Sequence, residues 1–289
     1  MTLPVFFCPE MVARVDSFSP SAEKPARVAA DWLALGLPVR ITRPTPATVA
    51  AFERAHASSY VRGVLDCRLP NGFGTRSAEV AASLPWTSGA MLSAARNALS
   101  AGGFAAALCS GFHHAGWDRG GGFCTFNGLM VTACALLADD GVENVAILDC
   151  DMHYGDGTED IIRRLGLADR VHHVTIGARY GDRADARAFL GELPTLVRSL
   201  GGARVLLYQA GADPHVRDPL GGFLDDDELR ERDETVFRTA RSIGLPVAWN
   251  LAGGYQRDER GGIDPVLAIH AATAAACLSF DGRHERTRA

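Results

Sequence analysis

The hydrophobic and polar positions in the second half of the chain follow two alternating patterns. Short apolar runs, typical of buried strands, are followed by segments whose apolar residues are three or four positions apart, as on one face of a helix. The predicted strands are Phe104–Cys109, Val145–Asp149, Val171–Ile176, Arg204–Gln209 and Pro246–Leu251. The predicted helices are Leu129–Leu137, Thr158–Leu165, Ala186–Leu200, Asp227–Ile243 and Asp264–Phe280. This alternation predicts an α/β fold with three layers, in which helices cover both faces of one parallel sheet.

The residues before this alternation show the same two patterns less regularly. A short apolar stretch covers Leu3–Cys8, and helices are predicted at Lys24–Leu35, Pro46–His56 and Trp86–Ala101. Neither a linker nor an internal repeat stands out in the sequence. We therefore expect a single domain over residues 1–289.

The most informative stretch is the one in which an apolar strand ends in acidic residues and a histidine. Asp149, Asp151 and His153 are two residues apart, so their side chains point the same way if strand geometry persists. Carboxylate and imidazole ligands suit zinc, which keeps a coordination position open in catalytic sites. A single acid here would indicate only a solvated loop. The D-x-D-x-H spacing instead favours a metal site at the carboxyl edge of the sheet.

Three further strand ends carry polar side chains that belong at the same edge. His113 and His114 follow one strand; adjacent residues cannot share a strand face, and a histidine pair taken alone is often incidental. Asp213 follows a glycine turn, where an aspartate either caps the turn or offers a third metal ligand. Tyr255 follows a glycine pair, either as a core residue whose hydroxyl needs a partner or as a donor to the site.

Composition and charge exclude several classes of protein. The 289 residues are 47% hydrophobic and 22% charged, which predicts a large core and no extensive disorder. A net charge of -5 does not indicate binding to nucleic acid or to an anionic membrane. It is compatible with a basic peptide as substrate. The seven cysteines form no C-x-x-C pair and are expected to be reduced. Neither a secretory signal nor a membrane-spanning run is apparent, so we expect a cytoplasmic location.

The candidate residues together are suited to hydrolysis at a metal. The candidate ligand set is Asp151, His153 and Asp213, and it leaves zinc a position for water and a substrate carbonyl. Hydrolysis also needs a group that takes a proton from water and gives one to the leaving amine, which a histidine can do near neutral pH. Asp149 and Asp156 are available to orient the two histidines, and Tyr255 to donate to the oxyanion.

Several stretches in combination resemble the histone deacetylase superfamily, and its class IV branch most of all. The matching stretches are Gly111–His114, Asp118–Cys124, Asp149–Gly157, Gly211–Asp213, Arg217–Gly222, Arg232–Arg238 and Gly253–Gln256. The resemblance extends over nearly the whole chain. It implies an arginase-like α/β fold and a zinc-dependent deacylase that acts on an acylated lysine peptide or protein.

The resemblance also implies a role for each candidate residue. The zinc ligands would be Asp151, His153 and Asp213. His114, paired with Asp156, would be the general base and acid, and His113, paired with Asp149, its electrostatic partner. Tyr255 would polarise the acyl carbonyl, and Gly122 and Phe123 would line the acyl-lysine tunnel. Members of the superfamily also bind a monovalent cation, potassium, which would lie near Asp149 and Thr175 in this chain.

Three positions depart from the superfamily pattern. Tyr154 stands where histidine or glutamine is usual, Ala252 replaces the first of the usual glycines before Tyr255, and Phe112 stands where many members have glycine. None of these changes removes a reacting group. They bear on the shape of the pocket, and therefore on the length of acyl chain that it accepts.

Three other functions remain open at this stage. An acetylpolyamine deacetylase, acting on a small acylated amine, would favour an acidic rim and a loop that narrows access; the loop at residues 71–76 suits either substrate. A two-manganese ureohydrolase would need more carboxylates than the sequence provides. A non-catalytic acyl-lysine reader would not need His113, His114 and Tyr255. The sequence does not indicate an oligomeric state.

Overall fold

The strands of the molecule form one parallel sheet in a computed structural model that describes residues 2–281. The strands are β1 (Leu3–Phe6), β2 (Val39–Thr42), β3 (Phe104–Ser110), β4 (Val145–Asp149), β5 (Val171–Thr175), β6 (Leu206–Gln209) and β7 (Val247–Ala252). Their order across the sheet is β2-β1-β3-β7-β6-β4-β5, and each neighbouring pair is parallel. The predicted α/β class with a parallel sheet is confirmed.

Helices cover both faces of this sheet. The helices are α1 (Lys24–Ala34), α2 (Val49–Ala55), α3 (Ser58–Leu65), α4 (Ala78–Ala101), α5 (Gly128–Asp139), α6 (Asp156–Leu165), α7 (Ala186–Ser199), α8 (Asp226–Ser242) and α9 (Asp264–Phe280). Apolar residues of α1, α7, α8 and α9 belong to one hydrophobic core, and those of α2 to α6 belong to the other. Within residues 2–281, we find no helix with the length and hydropathy that a membrane crossing requires.

The strand residues divide between the two cores as the pleat of a sheet requires. In β4, Ala146 and Leu148 pack into the first core, whereas Val145 and Ile147 pack into the second. All four side chains are fully buried. This explains why β4 has a continuous apolar run instead of an alternating pattern. It also confirms the three-layer arrangement.

The structure contains elements that the apolar pattern did not predict. The edge strand β2 has no fully buried residue, so its apolar signal is weak. The short helix α3 was not predicted either. Helix α4 begins at Ala78, well before the predicted start at Trp86, and continues through Pro85. An interior proline removes one helical hydrogen bond, and the helix tolerates this loss at Pro85. The Ser77 side chain, which accepts from the Val80 N–H, caps the true start.

Arg232 on α8 is fully buried beneath the carboxyl edge of the sheet. Its Nε donates to Asp233 Oδ1 at 2.9 Å. Its Nη1 donates to the carbonyl oxygens of Gly211, at 2.6 Å, and Cys150, at 3.3 Å. These two carbonyls lie just beyond β6 and β4. Arg232 therefore ties α8 to both of the loops that contain the predicted metal ligands.

We predict that Arg232→Met lowers the free energy of unfolding by about 3–5 kcal/mol, because Asp233 then remains buried without its cation. Urea denaturation measures this loss. Arg230→Met on the same helix is the matched control: Arg230 pairs with Asp227 at the surface, where ion pairs contribute little, so its midpoint should stay near that of the wild type. Similar midpoints for both variants would contradict the structural role of Arg232.

Candidate active site

The carboxyl ends of four neighbouring strands supply the predicted site residues. In the sheet these strands lie in the order β3-β7-β6-β4. Parallel strands end at the same edge, so the loops that follow them meet there. His113 and His114 follow β3, Tyr255 follows β7, and Asp213 follows β6. The last of the four strands, β4, leads into the D-x-D-x-H stretch.

Asp151, His153 and Asp213 form a cluster suited to a metal ion. One ligand atom from each residue lies within 4.8 Å of the other two. His153 Nδ1 is 3.2 Å from Asp151 Oδ1 and 3.1 Å from Asp213 Oδ2. Both carboxylates are almost completely buried, and Asp213 Oδ1 has no hydrogen-bond partner among the described residues. A buried carboxylate oxygen without a donor, next to an imidazole, fits a site for a cation with oxygen and nitrogen ligands.

The electrostatics of this cluster also favour a cation. Burial, together with the charge of Asp151, raises the pKa of Asp213. Hydrogen bonds to Asp151 and Asp213 raise the pKa of His153 to about 10. A positive charge beside the two carboxylates, either on an imidazolium or on a metal ion, is therefore electrostatically favourable. The three side chains thus have the composition and the charge of a metal-binding set.

Asp149 lies beside this cluster and contacts other residues. Its Oδ2 accepts from His113 Nδ1 at 2.7 Å, and its Oδ1 accepts from Gln209 Nε2 at 2.8 Å. Strand β4 ends at Asp149, so the alternation of side-chain directions does not continue to Asp151 and His153. The sequence pattern predicted that the side chains of Asp149, Asp151 and His153 point in the same direction. The structure instead directs Asp149 to His113, the pairing that the resemblance implied, and Asp213 joins Asp151 and His153 in the cluster.

The two adjacent histidines have matching carboxylate partners but different environments. His114 Nδ1 is 2.8 Å from Asp156 Oδ1, which parallels the contact between His113 and Asp149. The two rings lie 4.1 Å apart, and His113 is buried while the His114 side chain is 25% exposed. His114 also packs against Gly122, where a Cβ atom would lie 2.4 Å from the ring. A residue larger than glycine at position 122 would therefore clash with the His114 ring.

The pKa values of the two histidines shift in opposite directions. Burial alone would lower the pKa of His113, but the charges of Asp149 and Asp151 outweigh burial and raise it to about 9. Burial and the neighbouring His113 lower the pKa of His114, against the attraction of Asp156. At neutral pH the inner histidine is therefore charged and the outer one neutral. Paired groups with divergent pKa values are typical of acid–base sites.

Tyr255 reaches the site on an unusual turn. Ala252 has a φ of +51°, although it is not glycine, and Gly254 has a φ of +137°. The Tyr255 ring is 7% exposed and lies 5.8 Å from the Phe123 ring, centroid to centroid. Burial, followed by the charges of Asp151 and Asp213, raises the pKa of its phenol, so the hydroxyl remains a donor.

Aromatic side chains lie around Tyr255 and Phe123. Phe18 stacks on Tyr255 at a centroid distance of 6.1 Å, and Phe73 lies 5.9 Å from Phe123. Phe112, one of the three departures, is buried and lines a cavity of about 60 Å³ together with Phe123. Gly122 thus packs against His114, and Phe123 packs beside Tyr255.

Sequence reasoning missed several residues that support the site. Lys24 lies beneath the turn formed by residues 252–255 (the Tyr255 turn), Asp218 accepts the Tyr255 N–H at 2.8 Å, and Gln209 contacts Asp149. For Gln209 the available signal was its position at the end of a predicted strand. Lys24 carried a compositional signal, since it is the only lysine in the sequence. Neither signal identified a partner, because the contacts join distant segments.

Comparison with known proteins gives a consistent result. The model of the histone deacetylase domain matches residues 20–176. The chain is similar to an acetylpolyamine amidohydrolase of Mycoplana ramosa, with 30% identity over 183 residues that cover 52% of this chain and 50% of that protein. It is also similar to histone deacetylase 2 of Arabidopsis thaliana, with 30% identity over 177 residues that cover 54% and 45%. The chain thus matches about half the length of these curated relatives.

A solved structure has the same fold. The HD domain of HDA15 superposes with a TM-score of 0.74 at 19% identity, and the match covers 96% of this chain and 89% of that one. This likeness confirms the deacetylase-type α/β fold that the sequence motifs implied. Since the family model matches more than half of the sequence, the chain belongs to the histone deacetylase family.

Proposed function

We propose that this protein is a zinc-dependent amidohydrolase that removes the acyl group from an acylated lysine side chain. One observation carries the proposal: a buried Asp–His–Asp cluster, two carboxylate-paired histidines and the buried Tyr255 ring come from loops at the same edge of the sheet. The names of the relatives, a histone deacetylase and an amidohydrolase, support cleavage of an amide bond. Membership of the class IV branch, one catalytic domain over residues 1–289 and a cytoplasmic location belong to the same proposal.

Asp151, His153 and Asp213 would hold the zinc ion through two carboxylate oxygens and one imidazole nitrogen. The unpartnered Oδ1 of Asp213 supports this assignment. Zinc in such a site supplies a Lewis acid that lowers the pKa of a water molecule and polarises the acyl carbonyl. A potassium ion near Asp149 and Thr175 also remains part of the proposal.

His114 would transfer the protons. Its lowered pKa leaves the ring neutral at neutral pH, so it can accept a proton from the attacking water. Asp156 fixes Nδ1 as the protonated nitrogen, which leaves Nε2 free to take that proton and later give it to the leaving amine. His113, whose pKa is raised to about 9, would stay charged and act through its field.

Tyr255 would donate a hydrogen bond to the oxyanion that forms from the acyl carbonyl. Its phenol has a raised pKa and therefore keeps its proton. A donor fixed before reaction stabilises developing charge without reorganisation. Gly122 and Phe123 would line the tunnel that admits the acyl-lysine chain, since Phe123 packs beside Tyr255.

The rim of the site favours an acyl-lysine peptide over an acetylated polyamine, the main alternative. Phe18 and Leu220 are exposed by 51% and 41% near the Tyr255 turn. Two carboxylates close to the site are already engaged, Asp156 with His114 and Asp218 with backbone N–H groups. A polycationic substrate gains most from free carboxylates, whereas an apolar rim suits the neutral acyl-lysine stem and its peptide.

We expect the zinc-loaded protein to hydrolyse acyl-lysine peptides faster than N-acetylated polyamines, because the rim is apolar. Release of free amine from both substrate panels, at equal concentrations, measures the preference. Chelation should abolish turnover and added zinc restore it, while Asp213→Asn should lose the bound zinc in metal analysis. Faster turnover of the polyamines would favour the alternative substrate. Tight binding of acyl-lysine with no turnover would favour a non-catalytic acyl-lysine-binding protein.

His114→Ala should lower kcat by roughly 10²–10⁴-fold, the usual range for a positioned acid–base group. His113→Ala should cost less, because its role is electrostatic. Both variants are compared at equal zinc content and equal folded fraction, and His172→Ala, which changes an exposed histidine, is the control. A larger loss at His113 would reverse the two assignments.

Tyr255→Phe should lower kcat on the order of 10²–10³-fold, as for other oxyanion donors. KM should change little, because the interaction belongs to the transition state. Tyr180→Phe is the matched control: it removes the hydroxyl of another largely buried tyrosine, which contacts Glu192 and not the site. Wild-type kcat in the Tyr255 variant would remove this residue from the mechanism.

A further inference from the structure

Lys24 is completely buried at the start of α1, beneath the turn formed by residues 252–255, here called the Tyr255 turn. Its Nζ donates to the carbonyl oxygen of Ala252 at 2.6 Å and to that of Gly253 at 3.2 Å. Burying an ammonium group is costly unless its hydrogen-bonding capacity is used. A buried lysine that contacts two consecutive carbonyls therefore points to a specific task at this turn.

The Tyr255 turn needs external support to keep its shape. A φ of +51° at Ala252 lies in the left-handed region, which residues other than glycine rarely adopt. A Cβ atom at Gly253 would lie 2.5 Å from Asp213 Oδ2, so the turn also presses directly against a predicted metal ligand. Backbone in such a conformation persists only when its surroundings hold it.

Hydrogen bonds hold this turn from both sides. The Gly253 N–H donates to Asp151 Oδ2 at 2.9 Å, and the Tyr255 N–H donates to Asp218 Oδ2 at 2.8 Å. Carboxylates thus accept from its N–H groups, while Lys24 donates to its carbonyls. The Ala252 carbonyl and the Gly253 N–H belong to one peptide group, which is therefore held at both ends, by Lys24 and by Asp151. Together they fix the orientation of the chain that leads into Tyr255.

The charge on Lys24 is consistent with this task. Burial lowers its pKa to about 8, against the attraction of Asp213, Asp151 and Asp218. At neutral pH most of the group is still protonated and can donate. Arg27, one turn further along α1, instead pairs with Asp264 at the surface. The two cations of this helix therefore have different partners: backbone carbonyls for Lys24 and a surface carboxylate for Arg27.

We propose that Lys24 is a positioning residue: its ammonium group fixes the carbonyls of Ala252 and Gly253 and thereby holds the Tyr255 hydroxyl in the site. The inference rests on the proposed role of Tyr255 as oxyanion donor. A neutral side chain of similar length would fill the same space and anchor α1 equally well. The Ala212 N–H also donates to the Gly253 carbonyl, at 3.0 Å, but such a neutral side chain would leave the Ala252 carbonyl without the donor that Lys24 supplies.

The test compares Lys24→Met with Val28→Ala. Val28 is fully buried on the same helix, so its truncation loosens α1 without touching the turn. Lys24→Met should lower kcat on the order of 10- to 100-fold, because a small displacement of a catalytic group has effects of this size. KM and zinc content should stay near wild-type values. Lys24→Arg, which keeps the charge and the donors, should recover part of kcat, and Val28→Ala should keep most of it.

Hydrogen–deuterium exchange provides a readout that does not depend on activity. The backbone of residues 251–257 should exchange faster in Lys24→Met than in wild type or Val28→Ala, because the turn has lost its restraint. Wild-type exchange and wild-type kcat in Lys24→Met would overturn the proposal. So would an equal loss of kcat in Val28→Ala, since the effect would then come from the helix.

Failure of the proposed function can be told apart from failure of this inference. If Tyr255→Phe keeps wild-type kcat, the oxyanion role is wrong, yet faster exchange of residues 251–257 in Lys24→Met would still support the restraint. Should Lys24→Met fail to fold, Lys24→Gln, with one amide donor group and no charge, takes its place. Wild-type kcat and exchange in that variant would equally overturn the role of Lys24.

Discussion

Three carboxylates buried at one sheet edge are the constraint on which the rest of this structure depends. Asp149, Asp151 and Asp213 are each no more than 2% exposed. Like charges in the protein interior are unfavourable unless cations and hydrogen-bond donors compensate them. The donors that contact them include His113, Gln209 and the backbone N–H of Gly253. The chemistry of the site follows from how this negative charge is compensated.

The compensating groups come from widely separated parts of the chain, and the parallel sheet brings them together. Lys24 lies on α1 and acts on the carboxylates through its charge, at the far side of the Tyr255 turn. Arg232 lies on α8 and holds the carbonyls of the loops after β4 and β6. Because parallel strands end at the same edge, α1 and α8 can each direct a cation toward the loops that meet there. Both cations come from the layer formed by α1, α7, α8 and α9, so this layer supports the site from one face of the sheet.

The same compensation makes chemically similar residues behave differently. His113 faces two buried carboxylates and has a raised pKa, whereas His114 faces one half-exposed carboxylate and a charged neighbour, and has a lowered one. Two adjacent residues of the same type therefore differ in charge at neutral pH. Tyr255 depends on a strained turn whose hydrogen bonds run to Asp151, Asp218 and Lys24. The position of the Tyr255 side chain consequently depends on residues that do not themselves contact a substrate.

The sequence by itself determined the α/β class, most of the strands and helices, and the set of candidate site residues. These features are local or nearly so: the period of a strand or helix can be counted, and parallel strands bring their carboxyl ends to one edge. The same reasoning identified Asp151, His153 and Asp213 as one group, although they come from two strand ends. The apolar pattern is a weaker signal where a strand is only partly buried, as in the edge strand β2.

The tertiary structure decided the contacts that local patterns do not indicate. Helix α4 continues through Pro85, whose carbonyl accepts from the Ala47 N–H, because packing outweighs the local preference against proline. The end of β4 turns Asp149 toward His113 instead of the metal cluster. Lys24 has the sequence context of a charge at a helix start, and yet it is buried under residue 252. Contacts across more than 200 residues are fixed by how helices pack on the sheet, and no spacing along the chain encodes them.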